Sequence, residues 1–320
     1  MTVTNKFTIA ICTYNQSTML QQTLNSINKL TPNNQYDIRL VVVDNNSADN
    51  TRDVCDEFAQ ISILPFTYYF EKNQGLSYAR NRAINETNNG VIIFTDDDVI
   101  VPNDWINNYI EEYSSGDVSS VYGRIIPEWG DNKPAWFHKK LNPSYALLDY
   151  GDKRFIANSR YQEFYGANFS CTVSLLKELG SFDTRLGRIG DKLFIGEETE
   201  IFLKLLALKK TIIYSPKIFV WHVIREERKN KNFLIKYYRD IAESSVYVST
   251  KNSRRNLFGI PLYRYKEFIP FYVSCLPKYL FYIITNNQQE KFILTLNIIK
   301  TNRSLYLYLY NFFVKPKNRL

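Results

Sequence analysis

The chain has 320 residues, 45% of them hydrophobic, enough for a large core in one domain plus appendages. Its four cysteines, at 12, 55, 171 and 275, have no close pair, which excludes a disulfide framework or zinc spacing and suits a reducing cytosol. The net charge of +8 is uneven: from Arg225 onward 18 Lys+Arg face 6 Asp+Glu, against 22 and 26 in the part up to Ile224.

The polar start, Met1 to Lys6, does not read as a signal peptide. Phe7 to Thr13 predicts a first buried strand, followed by the polar turn Tyr14-Asn15-Gln16-Ser17. Leu20, Leu24 and Ile27 at helical spacing predict a helix capped by Ser17 or Thr18. Ile38 to Asp44 predicts a second strand ending in Asp44-Asn45-Asn46-Ser47, and Val54, Phe58 and Ile61 mark the next helix. Phe66 to Phe70 predicts a third strand, and Gly75 opens a helix through Ala79, Ala83 and Ile84. Val91 to Thr95 predicts a fourth strand, with a helix over Trp105 to Tyr113 after it. Strand and helix alternate four times with short connections, which predicts a parallel sheet covered on both faces.

Each polar cluster follows a strand, and the sharpest is Asp96-Asp97-Asp98. Adjacent carboxylates repel and gain nothing from burial, so they belong at the open carboxyl end of a strand, where α/β sheets bind ligands. Side chains at i and i+2 of an extended segment point the same way, so Asp96 and Asp98 can share one ligand. Hard oxygen donors beside a phosphate site suit Mg²⁺ or Mn²⁺; the alternative is a solvated acidic turn before the helix that starts near Pro102. No Gly-x-Gly-x-x-Gly follows the first strand and no P-loop motif occurs, which removes support for nicotinamide-dinucleotide and P-loop folds.

Several segments together resemble a family 2 glycosyltransferase of the GT-A fold: Ile11-Cys12-Thr13-Tyr14-Asn15, Val41 to Ser47, Asn73 to Asn81, and Phe94 to Asp98. Downstream, Tyr165-Gly166-Ala167-Asn168, Gly180-Ser181-Phe182-Asp183, Gly196-Glu197-Glu198-Thr199-Glu200, Tyr214-Ser215-Pro216 and Trp221-His222 also fit, so the resemblance covers roughly residues 7 to 225. It implies a GT-A α/β fold, with residues 1–225 catalytic: about 1–100 hold the nucleotide and about 101–225 the acceptor. It implies a nucleotide-sugar site of Thr13, Tyr14, Asn15, Asp44, Asn45, Arg80, Asp96 and Asp97, with the Asp44 carboxylate accepting from a base N–H and Arg80 near the diphosphate or ribose. From the residues alone, Thr13 and Asn45 can equally be turn formers, and Arg80, in a helical stretch with Arg82, a surface charge. The resemblance further implies Asp98, Asp96 and His222 as ligands of Mn²⁺ or Mg²⁺, although His222 ends a strand-like run and can equally be a core histidine.

Gly166, Ala167 and Asn168 would face the acceptor and donor sugar. They follow an irregular stretch with Trp129, Trp136, Tyr145 and Tyr150, aromatics that can stack on sugar rings or build a satellite core. Gly196-Glu197-Glu198 opens a helix with Ile201, Leu205 and Leu208 on one face. A helix dipole favours acids in its first turn, which explains one of Glu197, Glu198 and Glu200 better than all three. Most relatives carry Glu-Asp here, with the Asp as the base that deprotonates the acceptor hydroxyl; this chain has Glu198 in that place, with Glu197 as the rival.

Beyond Arg225 the chain is basic and helical to about Arg255; an apolar, aromatic tract from Phe268, broken by Pro270 and Pro277, follows, then Leu305 to Tyr310. Tyr-rich apolar surface interleaved with Lys and Arg suits a region (226–320) lying on an anionic bilayer, at the inner face of the cytoplasmic membrane. A cap on the catalytic domain and a homodimer surface are the alternatives; nucleic acid is not expected, because no such module accompanies the charge. No run of about 18 apolar residues offers a simple spanning helix. The expected activity is inverting, metal-dependent transfer from a nucleotide-sugar, a UDP-sugar first, to a hydroxyl of a glycan or lipid-linked glycan in cell-surface polysaccharide synthesis. A retaining transferase or nucleotidyltransferase on the same fold, or a non-catalytic nucleotide-sugar-binding scaffold at the membrane, are the rivals.

Overall fold

The computed structural model describes residues 5–314 except 191, 252 and 254; positions 1–4 of the polar start and the last six residues lie outside the described residues. The chain divides into two compact units. The first comprises residues up to 130, 145–190 and 197–224; the second comprises 131–144, 191–196 and everything from 225 onward.

The first unit begins with three strand–helix repeats: β1 (Lys6–Thr13), α1 (Ser17–Ile27), β2 (Asp37–Asp44), α2 (Thr51–Ala59), β3 (Phe66–Phe70) and α3 (Leu76–Asn85). There follow β4 (Val91–Asp96), β5 (Val99–Ile100), α4 (Trp105–Ser114), β6 (Ser120–Glu128), β7 (Phe155–Ile156), β8 (Phe169–Thr172), α5 (Val173–Glu178), α6 (Glu197–Ala207) and β9 (Ile212–Val223). The sheet order is β3-β2-β1-β4-β8-β6-β9-β5, with β7 on β9. Strands β3, β2, β1 and β4 are parallel, as are β6 and β9, while β8 runs antiparallel to both β4 and β6. The runs Phe7 to Ile11 and Leu40 to Asp44 are buried continuously, as a sheet covered on both faces requires. Because β1 pairs with β2 on one side and β4 on the other, chain direction across the sheet reverses at β1. The crevice at the carboxyl ends of β1 and β4 is therefore the topological position for a ligand.

Local details differ from the sequence expectation. Ser17 lies inside α1 and caps nothing; its N–H is instead taken by the Asp49 carboxylate across the crevice loops, at 2.9 Å. Ile61 and Leu208 fall just past the ends of α2 and α6 and are exposed, and Phe202 takes the core position on α6. The aromatic stretch builds core: Trp129 packs edge-on against buried Tyr145 at 5.4 Å, and Tyr150 meets Tyr214 at 5.5 Å.

The second unit contains α7 (Lys231–Lys251), the short hairpin β10 (Asn256–Leu257) and β11 (Ile260–Pro261), α8 (Leu262–Ile284) and α9 (Gln288–Phe313). Its core is Val246, Ile260, Phe268 and Tyr308. Within this unit Trp136 lies edge-on to Phe292 at 5.9 Å. The α8 helix runs through Pro270 and Pro277 instead of breaking. Both prolines, and the residues four before them (Lys266 and Val273), are exposed, so water can take the carbonyls that lose their N–H partners. Among the described residues, no helix is long and apolar enough to cross a membrane.

Candidate active site

The strand ends set the stage. Thr13 ends β1 opposite Asp44 on β2, and Asp96 ends β4 opposite Cys12. Three adjacent acids stay in one turn because α1 pins them. Thr23 Oγ1 donates to a carbonyl of that turn, of Asp97 or of Val99, at 2.9 and 2.8 Å, and accepts from Val99 N–H. Ser26 Oγ accepts from Val101 N–H. Sequence reasoning missed both, because small hydroxyls on a helix carry no pattern of their own.

Asp44 is buried, and its carboxylate already accepts from Ser47 N–H at 2.9 Å and from Tyr68 OH at 2.8 Å. The Arg52 guanidinium lies 4.3 Å from the Tyr68 ring centre. Tyr68 and Arg52 thus join the Asp44 end of the crevice, and neither carried a motif signal. Thr13 Oγ1, at the carboxyl end of β1, is buried with no hydrogen-bond partner among the described residues. Tyr14 is half-buried beside it.

Two expected contact residues are spent on structure. Asn45 accepts from Gly75 N–H at 2.7 Å and donates to the Asn73 carbonyl at 2.7 Å, stapling the loop that opens α3. Asn15, in a left-handed conformation, accepts from Ala48 N–H while its own N–H donates to Ser47 Oγ. Both shape the crevice and act through the loops they hold.

Arg80 is the largest revision. It is neither a surface charge nor free to reach a diphosphate: it is 2% exposed and stands 2.9 Å from Glu198, 3.1 Å from Glu197 and 3.8 Å from Asp96. Burial opposes its charge, but Glu198, Glu197 and Asp96 outweigh that and raise its guanidinium above the ordinary value. Gly166 makes this meeting possible. A Cβ there would lie 1.9 Å from Arg80 Nη2 and 2.5 Å from Glu198 Oε1, so only glycine lets the backbone approach this close. Ala167 accepts from Thr95 Oγ1. Asn168 is buried, holding Trp105 Nε1 and Tyr109 OH on its oxygen and donating to the Arg124 carbonyl, so its side chain positions the turn and does not face a sugar.

The two glutamates separate electrostatically. Burial, then the neighbouring Glu198 charge, pushes Glu197 up to about 8 despite Arg80. Burial also disfavours the charge of Glu198, but Arg80 and a hydrogen bond from Glu197 together bring it below the ordinary carboxylate value. Of the two, Glu197 holds its proton more tightly and Glu198 is the carboxyl whose ionised form Arg80 favours. Glu198 is also the more accessible, its side chain 16% exposed against 4% for Glu197. The first turn of α6 adds its dipole to both.

On the other flank His222 Nε2 lies 3.1 Å from Asp98 Oδ1, both buried, because Val99 and His222 pair across β5 and β9. Carboxylate oxygen plus imidazole nitrogen suits Mn²⁺ and tolerates Mg²⁺ less well. Asp96 turns toward Arg80, and among the described residues no cluster of three or more His, Cys, Asp or Glu could hold a metal alone. A metal on Asp98 and His222 would need ligand oxygens to complete its shell, as a diphosphate provides. Arg188, half-buried and close enough to Asp96 to favour its ionised form, is a cation that sequence reasoning did not single out. Burial pushes the Cys12 thiol up to about 12, so no thiolate acts here.

This geometry has known counterparts. The profile described as glycosyl transferase family 2 matches residues 8–180, more than half of the chain. The chain is 24% identical over 233 residues to the glucosyl-dolichyl phosphate glucuronosyltransferase of Haloferax volcanii, spanning 72% of this chain and 73% of that one. It is 24% identical over 238 residues to the succinoglycan biosynthesis protein ExoM of Rhizobium meliloti, spanning 71% and 70%. The mannosyltransferase PcManGT of Pyrobaculum calidifontis, solved with GDP-Man and Mn²⁺, superposes with a TM-score of 0.63 at 14% identity, covering 94% of this chain and 87% of that one. The fold is that of a GT-A glycosyltransferase. The chain belongs to glycosyl transferase family 2.

Proposed function

We propose that this enzyme transfers a sugar from a nucleotide-sugar, a UDP-sugar first, to a hydroxyl of a glycan or lipid-linked glycan, with inversion at the anomeric carbon. The observation that carries this reading is the buried Arg80 clasp, which leaves Glu198 ionised at the crevice edge while Glu197 keeps its proton. An ionised, partly accessible carboxylate can take the acceptor proton as the hydroxyl attacks from the face opposite the leaving diphosphate. Asp44, Tyr68 and the Thr13 hydroxyl would bind the nucleoside, and Arg188, which favours the ionised form of Asp96, would meet the diphosphate. Asp98 and His222, with Asp96 alongside, would hold the divalent metal, which when bound offsets charge developing on the leaving group. Arg80 is a positioning residue: it sets the charge and orientation of Glu198. The relatives named for dolichyl-phosphate and succinoglycan chemistry support an acceptor in cell-surface glycan synthesis.

We further propose that the second unit docks on the anionic inner leaflet. Ile269, Val273, Leu276, Leu280 and Ile284 recur at helical spacing on α8 and are each at least half exposed, within a region holding 18 Lys+Arg against 6 Asp+Glu. Apolar burial and charge attraction together give peripheral binding. The catalytic reading is tested by incubating the full chain with UDP-sugars, Mn²⁺ and candidate acceptors, and reading the anomeric configuration of the product by proton NMR. Inversion supports it; retention with intact Glu198 overturns it.

A further inference from the structure

The second unit contains a cavity of about 400 Å³ between α8 and α9 that the transfer reaction does not use. That volume falls within the usual range of small-molecule sites. Its α8 wall runs through Arg264, Phe268, Phe271 and Lys278, the helix face opposite the exposed apolar stripe. Four cations and two carboxylates line it. Two of those cations are spoken for: Lys140 pairs with Glu290, and Arg264 is held by Glu267, Ser245 and Tyr308. Lys278 and Lys300 have no ion pair or hydrogen bond among the described residues.

Lys300, on the α9 wall, is half-buried. Burial and the Arg264 charge push its ammonium below the ordinary lysine value, with Glu267 acting the other way. An ammonium drawn out of water and not directly ion-paired costs free energy that a bound anion restores. The surfaces of Phe268 and Phe271 on α8 and of Ile293 and Leu294 on α9 are apolar. A bare inorganic anion leaves that part of the cavity unmatched.

We propose that this cleft binds a phosphate monoester carrying an apolar group, with Lys300 and Lys278 on the phosphate and the Phe268–Phe271 wall on the ester group. A monoester carries close to two negative charges at neutral pH, which balances two unpaired lysines. The ester can come from a soluble metabolite or from a lipid headgroup.

Calorimetric titration of the full chain with hexyl phosphate, inorganic phosphate and 1-hexanol tests the assignment. Hexyl phosphate should bind saturably, inorganic phosphate at least about tenfold more weakly, and hexanol not at all. Lys300→Met and, separately, the exposed Lys278→Met should each weaken hexyl phosphate about tenfold or more, the usual worth of a charged contact, with unchanged circular dichroism. Dihexanoyl phosphatidic acid, below its micelle concentration, separates the sources: binding like hexyl phosphate indicates a lipid, exclusion a soluble ester. The proposal is overturned if hexyl phosphate does not saturate, if both variants bind it as the parent does, or if UDP with Mn²⁺ displaces it.

Discussion

Exchanging each glutamate of the Arg80 clasp for glutamine separates their roles. Glu198→Gln removes the ionised carboxylate, and transfer should fall about 10²–10⁴-fold, the usual worth of a general base. That is about 3–5 kcal/mol of barrier at 1.36 kcal/mol per tenfold. Glu197→Gln replaces a group that is already protonated at neutral pH, so transfer at pH 7 should stay within about threefold, a barrier change below about 1 kcal/mol. The pH profiles sharpen the contrast. As pH rises through about 8, Glu197 ionises and adds a second negative charge to the Arg80 clasp that also holds Asp96, so the KM for donor should climb. In Glu197→Gln that climb should vanish. Stability follows the same group. Its folded value lies above its ordinary 4.5, so its contribution is complete below about 4.5 and is lost as pH rises to about 8. Glu197→Gln should therefore gain Tm over the parent at pH 8 and much less at pH 5. Initial rates and calorimetric melting at both pH values provide the measurement. A dead Glu197→Gln beside an active Glu198→Gln would refute the assignment.

Gly166→Ala should lower unfolding stability by about 3–5 kcal/mol in urea titration, because its Cβ forces Arg80 off the two glutamates and breaks a buried ion pair. Asp98→Asn should abolish the Mn²⁺-dependent part of UDP binding by calorimetry while leaving circular dichroism unchanged; equal UDP affinity with Mn²⁺ in both proteins would remove Asp98 from the metal site. Full-length protein should co-sediment with anionic vesicles, less at high salt but not to zero, and Val273→Asp with Leu276→Asp should remove the salt-resistant part. Indifference of the parent to such vesicles at low salt would leave the α8 stripe to a protein partner.

Much of the first unit could be read from local signals. Runs such as Val41-Val42-Val43 and Val91-Ile92-Ile93, each ended by a polar cluster, locate β2 and β4 and the crevice they open into. Partners distant in sequence could not be read. From the residues alone Arg80, close to Arg82, could equally be a surface charge, because the two glutamates it meets stand 117 and 118 residues downstream. Asn45 and Asn168 have the residue type of ligand contacts, yet their amides are consumed by backbone and aromatic partners. Residues 131–144 and 191–196 group with the C-terminal helices although they lie within the predicted catalytic span, a long-range choice without composition signal. The α8 prolines mislead for a different reason: proline forbids an N–H but not a helix, provided water reaches the freed carbonyls.

The central claim is that Asp98, Arg80 and Glu198 form one nucleotide-sugar transfer site. Nucleoside diphosphate release, followed by phosphorus NMR across a panel of UDP- and GDP-sugars with and without Mn²⁺, tests it most directly. At least one donor should turn over only with metal, and Glu198→Gln should bind that donor as the parent does while releasing at most about one hundredth as much product. Metal-independent turnover, or equal turnover in Glu198→Gln, would contradict it.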